Sequence, residues 1–142
     1  MFVEKFKGVK YAASPKNRSL IKYILSAYES HLSGNRELML NFQVLNIEHI
    51  LPQKPESWNL RRSEIKDYVN NIGNLLLIDQ ILNSRMGNKS LEDKIPILSD
   101  SQLKMNKKIL KLFEDNNNTW NQTEIEKRNT LLAEISFDEI WS

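Results

Sequence analysis

NIEHILPQ, residues 46–53, is the stretch on which the fold turns. It sets Glu48 directly before His49, one of two histidines in the chain, among apolar residues and ahead of Pro52. The apolar and β-branched run from Val44 to Leu51, ended by a proline, predicts a strand. Toward the C-terminus, QKPESWN (53–59) is loop. Ser63 is placed to cap a short helix through Tyr68 and Val69, closed by NNIGN (70–74). NLLLID (74–79), a short apolar run after Gly73, is the second strand. From Gln80 the pattern is helical, with interruptions at Gly87 and Pro96.

Helices flank this centre. Leu20, Ile21, Ile24, Leu25, Tyr28 and Leu32 fall on one stripe at helical spacing between Ser14-Pro15 and Gly34, which predicts a helix over 16–34. Met105, Ile109, Leu112 and Phe113 mark another, behind an Asp100 or Ser101 cap, and EDNNN (114–118) ends it. Thr123 with Glu126 has the spacing of a capping box that opens a last helix. That helix is expected to bury Ile125, Leu132 and Ile135, with Phe137, Ile140 and Trp141 closing the core. The expected fold is mainly α with a small β-hairpin. It is a single domain over 1–142, with a central unit at about 44–95 and helical flanks at 16–34 and 100–142.

Composition narrows the class. With 142 residues, 40% hydrophobic and 27% charged, the chain suits a folded globular domain rather than a disordered one. No apolar run approaches a membrane span, and MFVEKFKGVK (1–10) is not a secretory signal. There is no cysteine, hence no disulfide or thiolate metal site. A cytoplasmic location is the expectation. The net charge of +2 names no partner. Its distribution says more: Lys104, Lys107, Lys108 and Lys111 form one cluster, Arg61, Arg62 and Lys66 a second, and Arg85, Lys89 and Lys94 a third. Any one is ordinarily a solvated face; three around one candidate site favour an anionic partner.

The order strand, strand, helix carries polar residues at chosen places: Glu48 and His49 at the end of the first, Asn74 at the mouth of the second, Asn83 in the helix. Phosphodiester hydrolysis needs a base to take a proton from water, and a neutral histidine suits that near neutral pH. It also needs a cation for the phosphoryl charge, and Mg²⁺, bound through hard oxygens such as those of Glu48 and Asn83, meets that need. Asn74 is placed to hold the long loop or the imidazole. Neighbours on a flat strand point to opposite faces, so Glu48 and His49 converge only where the strand ends or twists.

IEHILPQ (47–53), Trp58, IGNLLLI (72–78) and LNSRMGNKSLEDK (82–94) together resemble the HNH, or His-Me finger, nucleases. Within them the chain is similar to the C-terminal domain of GmrSD-type, modification-dependent restriction endonucleases. RSLIKYILSAYE (18–29) resembles that family's leading helix, and TWNQTEIEKRNTLLAEISFDEIW (119–141) its closing segment, so the likeness covers about 17–142. The resemblance implies a ββα-metal motif embedded in a helical domain. It implies a metal-dependent DNA endonuclease, with Mg²⁺ or Mn²⁺, acting against foreign or modified DNA. Position by position, His49 matches the general base and Asn74 the middle asparagine. Glu48 and Asn83 match the metal ligands, and Asn88 and Lys94 the polar positions that follow. Arg85, Lys89 and Arg128 are further candidates for supporting the site or contacting DNA. Glu48 stands where Asp is frequent, one methylene longer.

Other readings are kept beside this one. The chain is a nucleic-acid-binding module that does not cut, the nuclease half of a larger system with a fused or separate nucleotide-handling sensor domain, or a helical interaction domain. His31 complements a helix C-terminus, Asn88 is a turn residue after Gly87, and Trp58, Trp120 and Trp141 pack rather than stack on bases.

Overall fold

The computed structural model describes residues 9–34 and 44–141, with side chains through 135. Six α-helices and one two-stranded antiparallel sheet are formed by the described residues. In chain order they are α1 (Pro15–Ser33), β1 (Asn46–His49), α2 (Arg62–Ile65), β2 (Leu75–Ile78), α3 (Gln80–Met86), α4 (Leu91–Ser99), α5 (Lys104–Asp115) and α6 (Gln122–Trp141), with 3₁₀ turns at Glu56–Trp58 and Ile72–Asn74. No described helix is long and apolar enough to cross a membrane.

β2 is the centre. Leu75, Leu76, Leu77 and Ile78 are all fully buried, so both faces of the strand are covered. β1 lies along one edge, with Asn46 opposite Ile78 and His49 opposite Leu75. Only four residues pair, fewer than the Val44–Leu51 run predicts, and one more hydrogen bond, from the Ile50 N–H to the Asn74 carbonyl (2.9 Å), follows before the chain turns away. Among the described residues no strand lies along the other edge of β2, and its buried carbonyls must still be paired. Side chains do this. Arg128 donates Nη1–H to the carbonyls of Gly73 (2.9 Å) and Leu75 (2.6 Å), and Asn106 donates Nδ2–H to that of Leu77 (2.9 Å). These three alternate residues share one edge, as the pleat requires. Arg128 and Asn106 stand in for a third strand.

The helices form one continuous apolar core around β2. α1 starts where Ser14 Oγ accepts from the Asn17 N–H and ends at Gly34, in the left-handed region at φ 71°. Its buried stripe is Ile21, Ile24, Leu25 and Tyr28. Leu20, one residue off that stripe, is 46% exposed rather than part of the core. α6 packs on the turn at Ile72–Asn74 and on α1.

Four boundaries differ from the sequence expectation. α2 spans four residues, with Arg61 rather than Ser63 at its N-cap position and no side-chain cap. Pro96 lies inside α4 and does not end it; the buried face of Leu91, Lys94, Ile97 and Leu98 outweighs one missing hydrogen bond. The capping box of α6 is Asn121 with Glu124, two residues before Thr123 and Glu126. Asn121 Oδ1 accepts from the Thr123 N–H (3.0 Å), and Glu124 accepts from the Asn121 N–H (3.4 Å). Neither Asp100 nor Ser101 caps α5. The buried Glu29 of α1 does, accepting from the N–H groups of Lys104 and Met105 at 2.8 Å each. Glu29→Gln, which replaces one of those acceptors by a donor, should cost about 1–2 kcal/mol in chemical denaturation. The side chains of Phe137, Ile140 and Trp141 lie outside the described residues.

Candidate active site at the end of the first strand

The loop after His49 is held by Asn74. Its fully buried amide accepts from the N–H of Leu51 (2.9 Å) and the indole N–H of Trp120 (3.0 Å), and donates to the carbonyls of Leu51 and Val69 (2.8 Å each). All its hydrogen-bonding capacity is therefore spent on fixing the chain where it leaves the sheet. Because the ladder stops there, Glu48 and His49 line one open pocket of about 310 Å³, together with Pro52, Gln53, Lys54, Gly87 and Asn88. Strand neighbours share a site at a strand end, which resolves the geometric objection that alternation raises.

His49 is held on two sides. Its Nε2 lies 2.9 Å from Asn70 Oδ1, which also accepts from Gln53 Nε2 (3.0 Å). The Tyr11 ring and the imidazole meet edge to face, at 4.8 Å between centroids and an interplanar angle of 83°. An amide oxygen only accepts, so Nε2 carries the proton and Nδ1 is left as the basic nitrogen. Burial lowers the His49 pKa below its ordinary 6.5; the Asn70 hydrogen bond pulls it up and the charge of Lys94 pulls it further down. Glu48 is 7% exposed and its Oε2 has no hydrogen-bond partner. Burial pushes its carboxyl up to about 7, against the opposing effect of the Lys94 ammonium 3.8 Å away. Asn83, on α3, lines an adjoining pocket with Tyr11, Arg18, Lys22, Asn46 and Ile47, and not the one shared by Glu48 and His49.

The model of the GmrSD restriction endonucleases, C-terminal domain, matches residues 1–135, nearly the whole chain. The chain belongs to this family. No curated protein and no solved structure matches the chain. Membership gives this GmrSD C-terminal domain a nuclease role in restriction, with DNA as what is cut. The match ends before the closing Ile140-Trp141 pair.

The remaining candidates of this GmrSD domain separate into two groups. Lys94 and Arg128 point inward, 0% and 3% exposed, so neither reaches a phosphate in solvent. Lys94 Nζ donates to the carbonyls of His49 and Ile50 at 2.8 Å each and stands beside Glu48. Burial brings its pKa down to about 8, with Glu48 opposing. Burial likewise lowers that of Arg128 to about 10. The others are at the surface and locally engaged. Arg85 pairs with Asp100 at 3.1 Å, and Lys89 Nζ donates to the Arg85 carbonyl. Asn88 lines the His49 pocket, and its carbonyl accepts from Ser57 Oγ. Trp58 donates its indole N–H to the Lys89 carbonyl (2.8 Å), which ties the loop after β1 to the turn after α3.

Asn70, Gln53 and Tyr11 went unmarked in the sequence. The doublet Asn70-Asn71 reads as a helix stop, and nothing in its spacing links it to a histidine 21 residues earlier.

Lys94→Met tests the buried pair. It removes two hydrogen bonds to buried carbonyls and the counter-charge of Glu48, and should cost about 3 kcal/mol at pH 8. Glu48 has a folded pKa above its unfolded value, so its effect on stability worsens as pH rises from about 4.5 through about 7. Without Lys94 the carboxyl rises further and that window widens upward. The cost, measured by denaturation at several pH values, should therefore be larger at pH 8 than at pH 5.

Proposed function

We propose that this domain is an HNH-type endonuclease in which His49 is the general base for phosphodiester hydrolysis. The observation that carries this is the pairing of His49 Nε2 with Asn70 Oδ1 at 2.9 Å, which leaves Nδ1 unprotonated in a side chain that lines an open pocket. Nδ1 takes a proton from a water as its oxygen bonds to phosphorus; the ester P–O bond breaks and the leaving oxygen is protonated from solvent. Tyr11 and Asn70 hold the ring, Gln53 bonds to Asn70, and Asn74 holds the loop around it.

The donor set fits a divalent ion at Glu48. A buried carboxylate oxygen without a hydrogen-bond partner is what a hard cation takes. Glu48 would hold Mg²⁺ or Mn²⁺ through that oxygen; Asn83, expected as the second ligand, lines a separate pocket. The chemistry such an ion supplies when bound is neutralisation of charge at the phosphoryl and leaving oxygens. The role in restriction agrees with foreign or modified DNA as substrate.

A second reading is DNA binding without cleavage. The Lys94 ammonium, 3.8 Å from the free oxygen of Glu48, favours it, since a cation already faces that carboxylate. Plasmid cleavage with Mg²⁺ or Mn²⁺, with EDTA and with His49→Ala as controls, separates the two. Cutting that needs both ion and histidine supports the nuclease. DNA binding with no cutting, on plain and modified DNA alike, supports the second reading.

A further inference from the structure

We propose that Lys54 is a second catalytic residue, its ammonium holding a non-bridging oxygen of the reacting phosphate in front of His49. This rests on the nuclease reading and adds a further group that touches the phosphate being cut. Lys54 belongs to none of the three basic clusters of the sequence and lies in the loop after β1. That loop is anchored on both sides of it. Pro52 and Pro55 are buried. Gln53 Nε2 donates to Asn70 Oδ1 (3.0 Å), the same oxygen that meets His49 Nε2. On the far side the Trp58 N–H donates to the Pro55 carbonyl (2.8 Å). Ser57 Oγ and the Trp58 indole then bond to the carbonyls of Asn88 and Lys89. The backbone at Lys54 is therefore fixed between the residue that holds the base and the turn after α3. Lys54 lines the pocket of about 310 Å³ that also holds Glu48, His49 and Asn88.

The ammonium of Lys54 is uncommitted. The residue is exposed, and among the described residues its side chain has no ion pair or hydrogen bond. Glu48, in the same pocket, faces Lys94 at 3.8 Å instead. The basic residues singled out in the sequence are engaged or placed elsewhere. Arg61, Arg62, Arg85 and Lys111 each pair with a carboxylate. Lys89 and Lys107 donate to carbonyls, and Lys94 and Arg128 are buried. Lys66, Lys104 and Lys108 do not line the His49 pocket. A phosphodiester that reaches Nδ1 of His49 must enter that pocket and there meets Lys54. As the water oxygen bonds to phosphorus, the non-bridging oxygens remain to be neutralised, and a cation fixed beside them stabilises the transition state. A lysine suits this as a point charge on a flexible stem. It reads no base, so the contact is indifferent to sequence.

The test is Lys54→Gln, which keeps much of the stem and removes the charge, beside Lys54→Arg, which keeps a charge. Lys127→Gln, on the exposed surface of α6, is the control that removes one charge elsewhere. DNA cleavage with Mg²⁺ is followed at limiting and at saturating DNA. A contact that strengthens in the transition state acts on kcat. Lys54→Gln should therefore lower kcat on the order of 10²-fold with little change in KM, and the thermal melting curve should be unmoved. Lys54→Arg should recover most of the loss, and Lys127→Gln should match the parent. Two results overturn the assignment while the parent still cuts in a His49-dependent way, and leave the nuclease standing. One is a parent-like kcat in Lys54→Gln, including the case where only KM rises, which would put Lys54 on a flanking phosphate. The other is a Lys54→Arg variant as slow as Lys54→Gln, which would mean that charge is not what the residue supplies. If the parent cuts neither plain nor modified DNA, the nuclease reading fails and the role of Lys54 with it.

Discussion

His49→Ala should slow metal-supported plasmid cleavage by about 10²–10⁴-fold, the range expected when a positioned general base is removed. The fold should survive, because the imidazole sits at the end of a strand and is not part of the apolar core. The pH profile of the parent enzyme carries the same information. A histidine acts as a base only when neutral, and burial holds the His49 pKa below 6.5. Activity should therefore fall on the acid side, as pH drops through that lowered value, and be insensitive to this group at pH 7 and above. Asn70→Asp would put a carboxylate against Nε2 and favour the imidazolium. The acid limb should then move to higher pH with the base still present. An unchanged limb in Asn70→Asp would mean that His49 is not the titrating base, and full activity in His49→Ala would remove the mechanism altogether.

Gly73→Ala should be far more damaging than a methyl group added at Gly34 or Gly87. A Cβ at residue 73 would fall inside contact distance of the Ile125 carbonyl oxygen and lie 2.8 Å from the Asn129 amide nitrogen, both on the backbone of α6. Backbone cannot rotate away as a side chain does, so α6 or the turn must shift. That shift pulls on everything the turn holds: the Gly73 N–H donated to Asn129 Oδ1, the Arg128 bonds to Gly73 and Leu75, and through Asn74 the loop beneath His49. A cost of about 4 kcal/mol or more follows, in the exceptional range for one substitution, and cleavage should fall with it. Gly34→Ala is the natural comparison. Gly34 needs its left-handed φ of 71°, but an added Cβ there meets nothing within 4 Å. Its cost should be only about 1 kcal/mol. Equal effects for the two glycines in thermal or chemical denaturation would show that close packing on α6 is not what Gly73 provides.

Local pattern by itself determined a good deal of this protein. Ser14-Pro15 and Gly34 bound α1 because caps act within one turn of the residues they satisfy. The apolar run after Gly73 is β2, the two strands lie where NIEHILPQ and NLLLID put them, and Glu48 and His49 are recognisable as adjacent polar groups in an apolar stretch. What the tertiary structure alone decided are contacts between residues far apart in the chain. α5 is capped by a glutamate 75 residues before it, so no local signal marks its start. Arg128 and Lys94, candidates for supporting the site or contacting DNA, are buried, each donating to backbone carbonyls. Asn70 reaches His49 across a loop, and Asn83 faces a different pocket from Glu48. Spacing along the chain predicts neighbours within a helix turn or a strand repeat. Where a loop carries a side chain depends on the whole packed path, and the chemistry of a site assembled from loops becomes visible only there.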